Sequence, residues 1–221
     1  MERKKRTKKF ILFMFLLLVG SADVLHSAES PSDAPEYARD STVLFKAAHS
    51  YEHALQSWKT PEDISAWIAA NFSYDMARAL RLSETQRAKN EQLSIYHPAE
   101  LFNKKAGVCV DLSRFGVEML RHIDPQSDPK YLMIEFDPAH VTGNTLRFHW
   151  LVSFKRDGKI YFFADSKRPG HIAGPYNDTR EFIGEYEQYR GRKIVAFREL
   201  ESYQKQQRTP ARRLLAPAKK L

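Results

Sequence analysis

The chain has 221 residues, 43% of them hydrophobic and 28% charged, which is enough apolar mass for one sizeable core and too much for a globally disordered chain. Its net charge is +8, but residues 1–22 carry +5 and residues 205–221 carry +6, so residues 23–204 are left with −3. A nucleic-acid-binding domain needs its basic charge on the folded surface, so the overall charge does not argue for nucleic acid as a partner.

The chain opens on "MERKKRTKK", a basic segment, followed by the apolar run Phe10–Val19. Ten apolar residues are too few to span a bilayer, which takes about 20. The pattern predicts a signal peptide over residues 1–28, cleaved after Ala22 or Ala28. An uncleaved anchor is the alternative. An exported chain of this kind resides in the periplasm or outside the cell. Residues 29–41 are polar and aperiodic and predict a linker. A single domain is expected over 42–204. The tail 205–221 has two prolines and no apolar periodicity, and predicts a flexible basic end able to touch an anionic envelope surface.

Within the domain, apolar residues from Val43 to Trp58 recur at helical spacing. "TPEDISAWIAANFSY" predicts a second helix with Thr60 as N-cap, Pro61 at its first position and Asp63 as capping partner. Residues 76–97 are polar and predict surface helix or loop, and "HPAELFNKK" predicts a short helix. A helix starts at or just after Cys109 and ends near Pro125. The period then changes to two: "KYLMIEF", "TLRFHWLVSF", "KIYFFAD" and "KIVAFREL" predict strands, with a helix around Phe182, Tyr186 and Tyr189 before the last. Helices first and strands later predict an α+β domain with an antiparallel sheet. "HSYEH" (His49–His53) matches an inverted zinc-peptidase pattern, but the expected reading is two surface histidines; no metal and no cofactor are expected.

Cys109 is the only cysteine, so no internal disulfide is possible. A lone thiol in an oxidising compartment is a liability unless it does chemistry or pairs with another chain. Gly107 and the helix start place it where unpaired N–H groups and the helix dipole favour a thiolate. Such a nucleophile wants a histidine, and the histidine wants an acid. The hairpin through Asp157-Gly158 selects both. A two-residue turn would set Phe154 opposite Tyr161 and His149 opposite Ser166. A three-residue turn, Arg156-Asp157-Gly158, pairs Val152 with Phe162 and Trp150 with Ala164 on an all-apolar face, and sets His149 opposite Asp165. The three-residue register is the one expected, with the Trp150 side buried.

Glycine-x-cysteine at a helix start, a strand histidine 40 residues later and an aspartate 16 beyond it resemble the transglutaminase-like superfamily. "TPEDISAWIAANFSYD" and "PAELFNKKAGVCVDLSRFGVEML" are similar to the segments flanking its cysteine. The resemblance implies a papain-like core, with the nucleophile helix packed on the sheet, and a Cys109–His149–Asp165 triad. It implies thiol-dependent hydrolysis of amide bonds in a protein or peptide, with acyl transfer to an amine (protein cross-linking) or a non-catalytic envelope binding module as alternatives. The Cys109 backbone N–H is one expected oxyanion donor. No tryptophan near Cys109 can be the second, so Asn103 or Tyr96 is expected there.

Overall fold

The computed structural model describes residues 44–88 and 93–204. The expected signal peptide, linker and basic tail lie outside the described residues. In chain order the elements are α1 (Tyr51–Ser57), α2 (Pro61–Asn71), β1 (Ser73–Tyr74), α3 (Met76–Arg81), α4 (Glu84–Ala88), α5 (Pro98–Lys104), β2 (Ala106–Gly107), α6 (Cys109–Ile123), β3 (Lys130–Val141), β4 (Asn144–Arg156), β5 (Lys159–Phe163), β6 (Ala173–Tyr176), α7 (Thr179–Arg190) and β7 (Ile194–Leu200). Among the described residues no helix is long and apolar enough to cross a membrane.

Five strands form one antiparallel sheet in the order β6-β5-β4-β3-β7. The α+β class is as expected. Helix α6 covers one face, where Leu112, Phe115, Tyr131, Val152, Phe154 and Phe163 join α2 and α5 in the larger core. Helix α7 covers the other, where Phe182, Ile183 and Tyr186 meet Leu132, Ile134, Phe136, Leu151 and Phe162. The central strand β4 is therefore buried on both sides.

That double burial explains why the hairpin register differs from expectation. Phe154 pairs with Tyr161 and Val152 with Phe163, the two-residue register. Asp157 and Gly158 both take left-handed backbone, φ 51° and 71°. This is the type I′ turn whose twist matches the flanking strands. Counting apolar partners on one face cannot separate the registers when both faces are apolar. The β3–β4 turn is built alike, on Thr142 and Gly143 with φ 47° and 75°. Strand β3 runs five residues past the expected "KYLMIEF", because a bulge between Glu135 and Ala139 accommodates Pro138, which has no N–H to give a ladder.

The first helix is shorter than its apolar spacing suggests. It starts at Tyr51, after Ser50 caps it by accepting from His53 N. Residues 44–48 have no regular secondary structure and are anchored where Trp58 Nε1 donates to the Lys46 carbonyl. The break puts His49 ahead of the helix, so the two histidines of "HSYEH" stack, with ring centroids 4.2 Å apart. Helix α2 has the expected capping box: Asp63 N donates to Thr60 Oγ1, and Thr60 N to the Asp63 carboxylate.

Helix α6 comes close to the sheet at Gly116. A Cβ there would lie 2.9 Å from Val152 Cγ2 and 3.1 Å from Phe163 Cζ, both on fully buried side chains. We expect Gly116→Ala to destabilise the domain by about 1–3 kcal/mol through overpacking, against a helix-propensity gain of about 1 kcal/mol included in that range. Urea unfolding of the two proteins measures it; equal or higher stability in the variant would contradict the close approach.

Candidate functional site

Cys109 is the first residue of α6 and 6% exposed. Its N-cap, Val108, has no polar side chain, so the helix start is held differently. Asp111, in the first turn, turns its carboxylate back to accept from Val108 N at 3.1 Å. The same carboxylate accepts from Tyr96 N at 2.8 Å and from Arg78 Nε and Nη2 at 2.7 and 2.9 Å. Four donors surround one fully buried carboxylate, and the Arg78 guanidinium lies 3.5 Å above the Tyr96 ring. Gly107 is required by contact rather than by φ: a Cβ would lie 2.7 Å from Leu101 Cδ1 and 3.2 Å from the Asp111 side chain.

Cys109 lines a cavity of about 130 Å³ with Tyr74, Arg87, Val108, Phe148 and Trp150 among its walls. Neither side-chain candidate for the oxyanion lines it. Asn103 is exposed at the end of α5. The Tyr96 ring sits between Arg78 and Lys104. The segment before α5 reaches the cavity through Ile95 instead, a neighbour of Tyr96 that local sequence does not distinguish from it. The polar wall comes from α4 and β4, where Arg147 bridges Glu84 and Glu135, each at 3.1 Å.

Phe148 and Trp150, both at the cavity, flank His149 on β4. The imidazole is fully buried in the layer under α7, against Phe136 and Tyr186, with centroids 6.5 and 5.9 Å away. Asp165 is brought to it, but not as a cross-strand partner. Strand β5 ends at Phe163, and Ala164 takes φ 82°, a left-handed conformation that costs a non-glycine residue about 1–3 kcal/mol. The turn presents the Asp165 main-chain carbonyl to His149 Nε2 at 3.1 Å. The expected imidazole–carboxylate bond is thus an imidazole–carbonyl bond. Nδ1 is buried and, among the described residues, has no hydrogen-bond partner, so the imidazole's hydrogen bonds do not include the Cys109 sulfur.

Electrostatics tie these groups together. Burial pushes the Tyr186 phenol far above its ordinary value; Arg190 pulls it down, while Asp165 and, more weakly, Cys109 push it up. Tyr186 therefore senses both residues while stacked on the third. Burial, then Arg190, hold His149 well below the ordinary 6.5, with Arg192 adding and the bond to Asp165 opposing. His149 is neutral at pH 7.

Two features were not legible as site residues. Arg78 gives no local signal, since its partner is 33 residues away. Tyr186 reads only as the apolar face of a helix.

A buried neutral histidine makes stability depend on pH. The unfolded chain takes up a proton near pH 6.5, and the folded chain only well below it. The contribution of His149 is thus flat above about pH 6.5 and falls by at most about 1.4 kcal/mol per pH unit beneath it. We expect His149→Gln to lose this acid sensitivity, with His171, also held low by burial, titrating equally in both proteins. Denaturant unfolding between pH 7.5 and 5 checks it; parallel pH profiles would contradict the burial of a neutral ring.

A family model for a transglutaminase-like domain matches residues 47–191, about two thirds of the chain. No curated protein matches. The matched span runs from before α1 to the end of α7 and takes in the α6 start, the β4 histidine and the turn that carries Asp165. The chain belongs to the transglutaminase-like domain family.

Proposed function

We propose that this transglutaminase-like domain is a thiol-dependent hydrolase of amide bonds in a protein or peptide, with Cys109 as nucleophile and His149 as its base. The observation that carries the reading is the occupied Nε2. A carbonyl oxygen only accepts, so Nε2 must hold the imidazole proton, and the lone pair resides on Nδ1. A buried acceptor without a donor is costly, and the neutral ring is a base in the required form. The proton we assign to it in the reaction is that of the Cys109 thiol.

In the proposed reaction, Nδ1 takes the thiol proton as the sulfur bonds to the substrate carbonyl carbon. The Cys109 N–H, at the start of α6 where the helix dipole favours negative charge, supports the oxyanion. The carbon–nitrogen bond breaks, and the imidazolium returns its proton to the leaving amine. Water then attacks the thioester, giving its proton to Nδ1, and the thiol is regenerated with release of the acid. The cavity of about 130 Å³ is far smaller than the roughly 300–1,000 Å³ of small-molecule pockets. It suits one side chain of a polymer better than a free metabolite. The basic start and apolar run of residues 1–28 support export, placing such a polymer outside the cytoplasm.

Intact-mass analysis after a chloroacetamide probe tests the proposal. We expect one adduct, on Cys109, absent in Cys109→Ser and formed about 10²-fold more slowly in His149→Ala. Asp165→Asn keeps its carbonyl, so its labelling should stay within about tenfold of the parent, whereas a carboxylate that set the tautomer would cost about 10⁴-fold. Labelling unaffected by loss of His149 would remove the imidazole from the chemistry.

A further inference from the structure

We propose that Tyr186 and Arg190 of α7 are positioning residues for His149, holding the imidazole in the tautomer whose Nδ1 receives the thiol proton; this rests on the thiol chemistry proposed above. Tyr186 is fully buried, and its ring lies nearly parallel to the imidazole, 21° between planes. Its hydroxyl reaches the Asp165 carbonyl at 3.5 Å, so the oxygen that accepts from His149 Nε2 at 3.1 Å accepts from the phenol as well. One helical turn later, Arg190 donates Nη1 to the phenol oxygen at 3.2 Å. Cation, phenol, carbonyl and imidazole form one line of contacts. With its oxygen engaged by a cation, the phenol turns its proton to the carbonyl, and hydrogen bonds in such a series strengthen one another. The carbonyl is thereby held in the direction that keeps the proton on Nε2.

The arrangement also sets the charge of the ring. The charged and titratable groups facing it are Tyr186 and Arg190 from α7, Arg192 from the connection to β7, and Asp165 from the turn after β5; β3 offers Ile134 and Phe136. Arg190 and Arg192 lie 5.7 and 4.9 Å from the centre of the Phe136 ring, which tilts against the imidazole. Two cations beside a buried ring oppose a third positive charge on it. Helix α7 thus supplies both the direction of the proton and the neutrality of the base.

The experiment is ¹⁵N NMR of the His149 ring across pH, run on Tyr186→Phe, Arg190→Met and Arg190→Lys beside the parent. It is paired with the pH profile of Cys109 alkylation by chloroacetamide. The parent should show a neutral ring protonated at Nε2. Arg190→Met should move the ring's titration midpoint upward, towards 6.5, and carry the acid limb of alkylation to higher pH with it. Arg190→Lys should restore both. Tyr186→Phe should fold, lose one donor to the carbonyl, and show a growing Nδ1–H population with slower alkylation. Unchanged tautomer and midpoint in folded Arg190→Met and Tyr186→Phe would overturn the inference. The NMR readout does not need an active thiol. A parent whose alkylation ignores His149 would therefore defeat the proposed chemistry while the tautomer data still decide the role of α7.

Discussion

The site hangs on one buried carboxylate. Asp111 collects the Arg78 guanidinium and the amides of Tyr96 and Val108. These donors come from α3, the segment before α5 and the residue before α6, so one side chain fastens two pieces of chain distant in sequence, and the helix's own N-cap, to the helix that bears Cys109. Burying an ion pair costs desolvation on both sides, and removing one partner of such a pair typically costs about 3–5 kcal/mol. Its value here is position. The α6 start has no side-chain cap on Val108, and the short parallel pairing of β1 with β2 leads into it.

A second constraint acts from the other side of the sheet. Because α6 and α7 enclose β4 between them, His149 can be withdrawn from water while its neighbours Phe148 and Trp150 remain at the cavity wall. Withdrawal makes the imidazole neutral, and the left-handed Ala164 turns a carbonyl onto Nε2. Strain of about 1–3 kcal/mol at one buried residue is a cost the fold carries for this contact, and it falls beside the residue that sequence spacing had already singled out.

How much of this was legible in the sequence follows the range of the forces involved. Local signals read well: the Thr60 capping box, the helix starting at Cys109 and the helix carrying Tyr186 are where capping and periodicity put them, and the four strands are present, although β3 runs on to Val141, β5 stops at Phe163, and the short β6 gave no periodic signal. The family was also legible: the resemblance drawn from glycine, cysteine, histidine and aspartate in that order names the family whose model matches residues 47–191. The hairpin register was not, since an argument from apolar pairing assumes one wet face and β4 has none. The apolar spacing overstates helix α1, because Ser50 caps the helix there while residues 44–48 carry the pattern on without helical structure. Arg78–Asp111 and the contact of Tyr186 with the Asp165 carbonyl are long-range pairings between residues with no local signature. That the carbonyl of Asp165 and not its carboxylate meets His149 goes with a left-handed residue, Ala164, which no side-chain pattern encodes.

The central claim is that the Cys109 sulfur bonds to an acyl carbon with His149 taking its proton. Rapid-quench mass spectrometry with an activated acyl ester tests it most directly, because it counts acyl groups and locates them by peptide mapping. The account predicts a burst of one acyl group per protein on Cys109, followed by slow release to water, with the burst in His149→Ala slowed about 10²-fold. Acylation that spares Cys109, or a burst of equal rate with and without the imidazole, would contradict it.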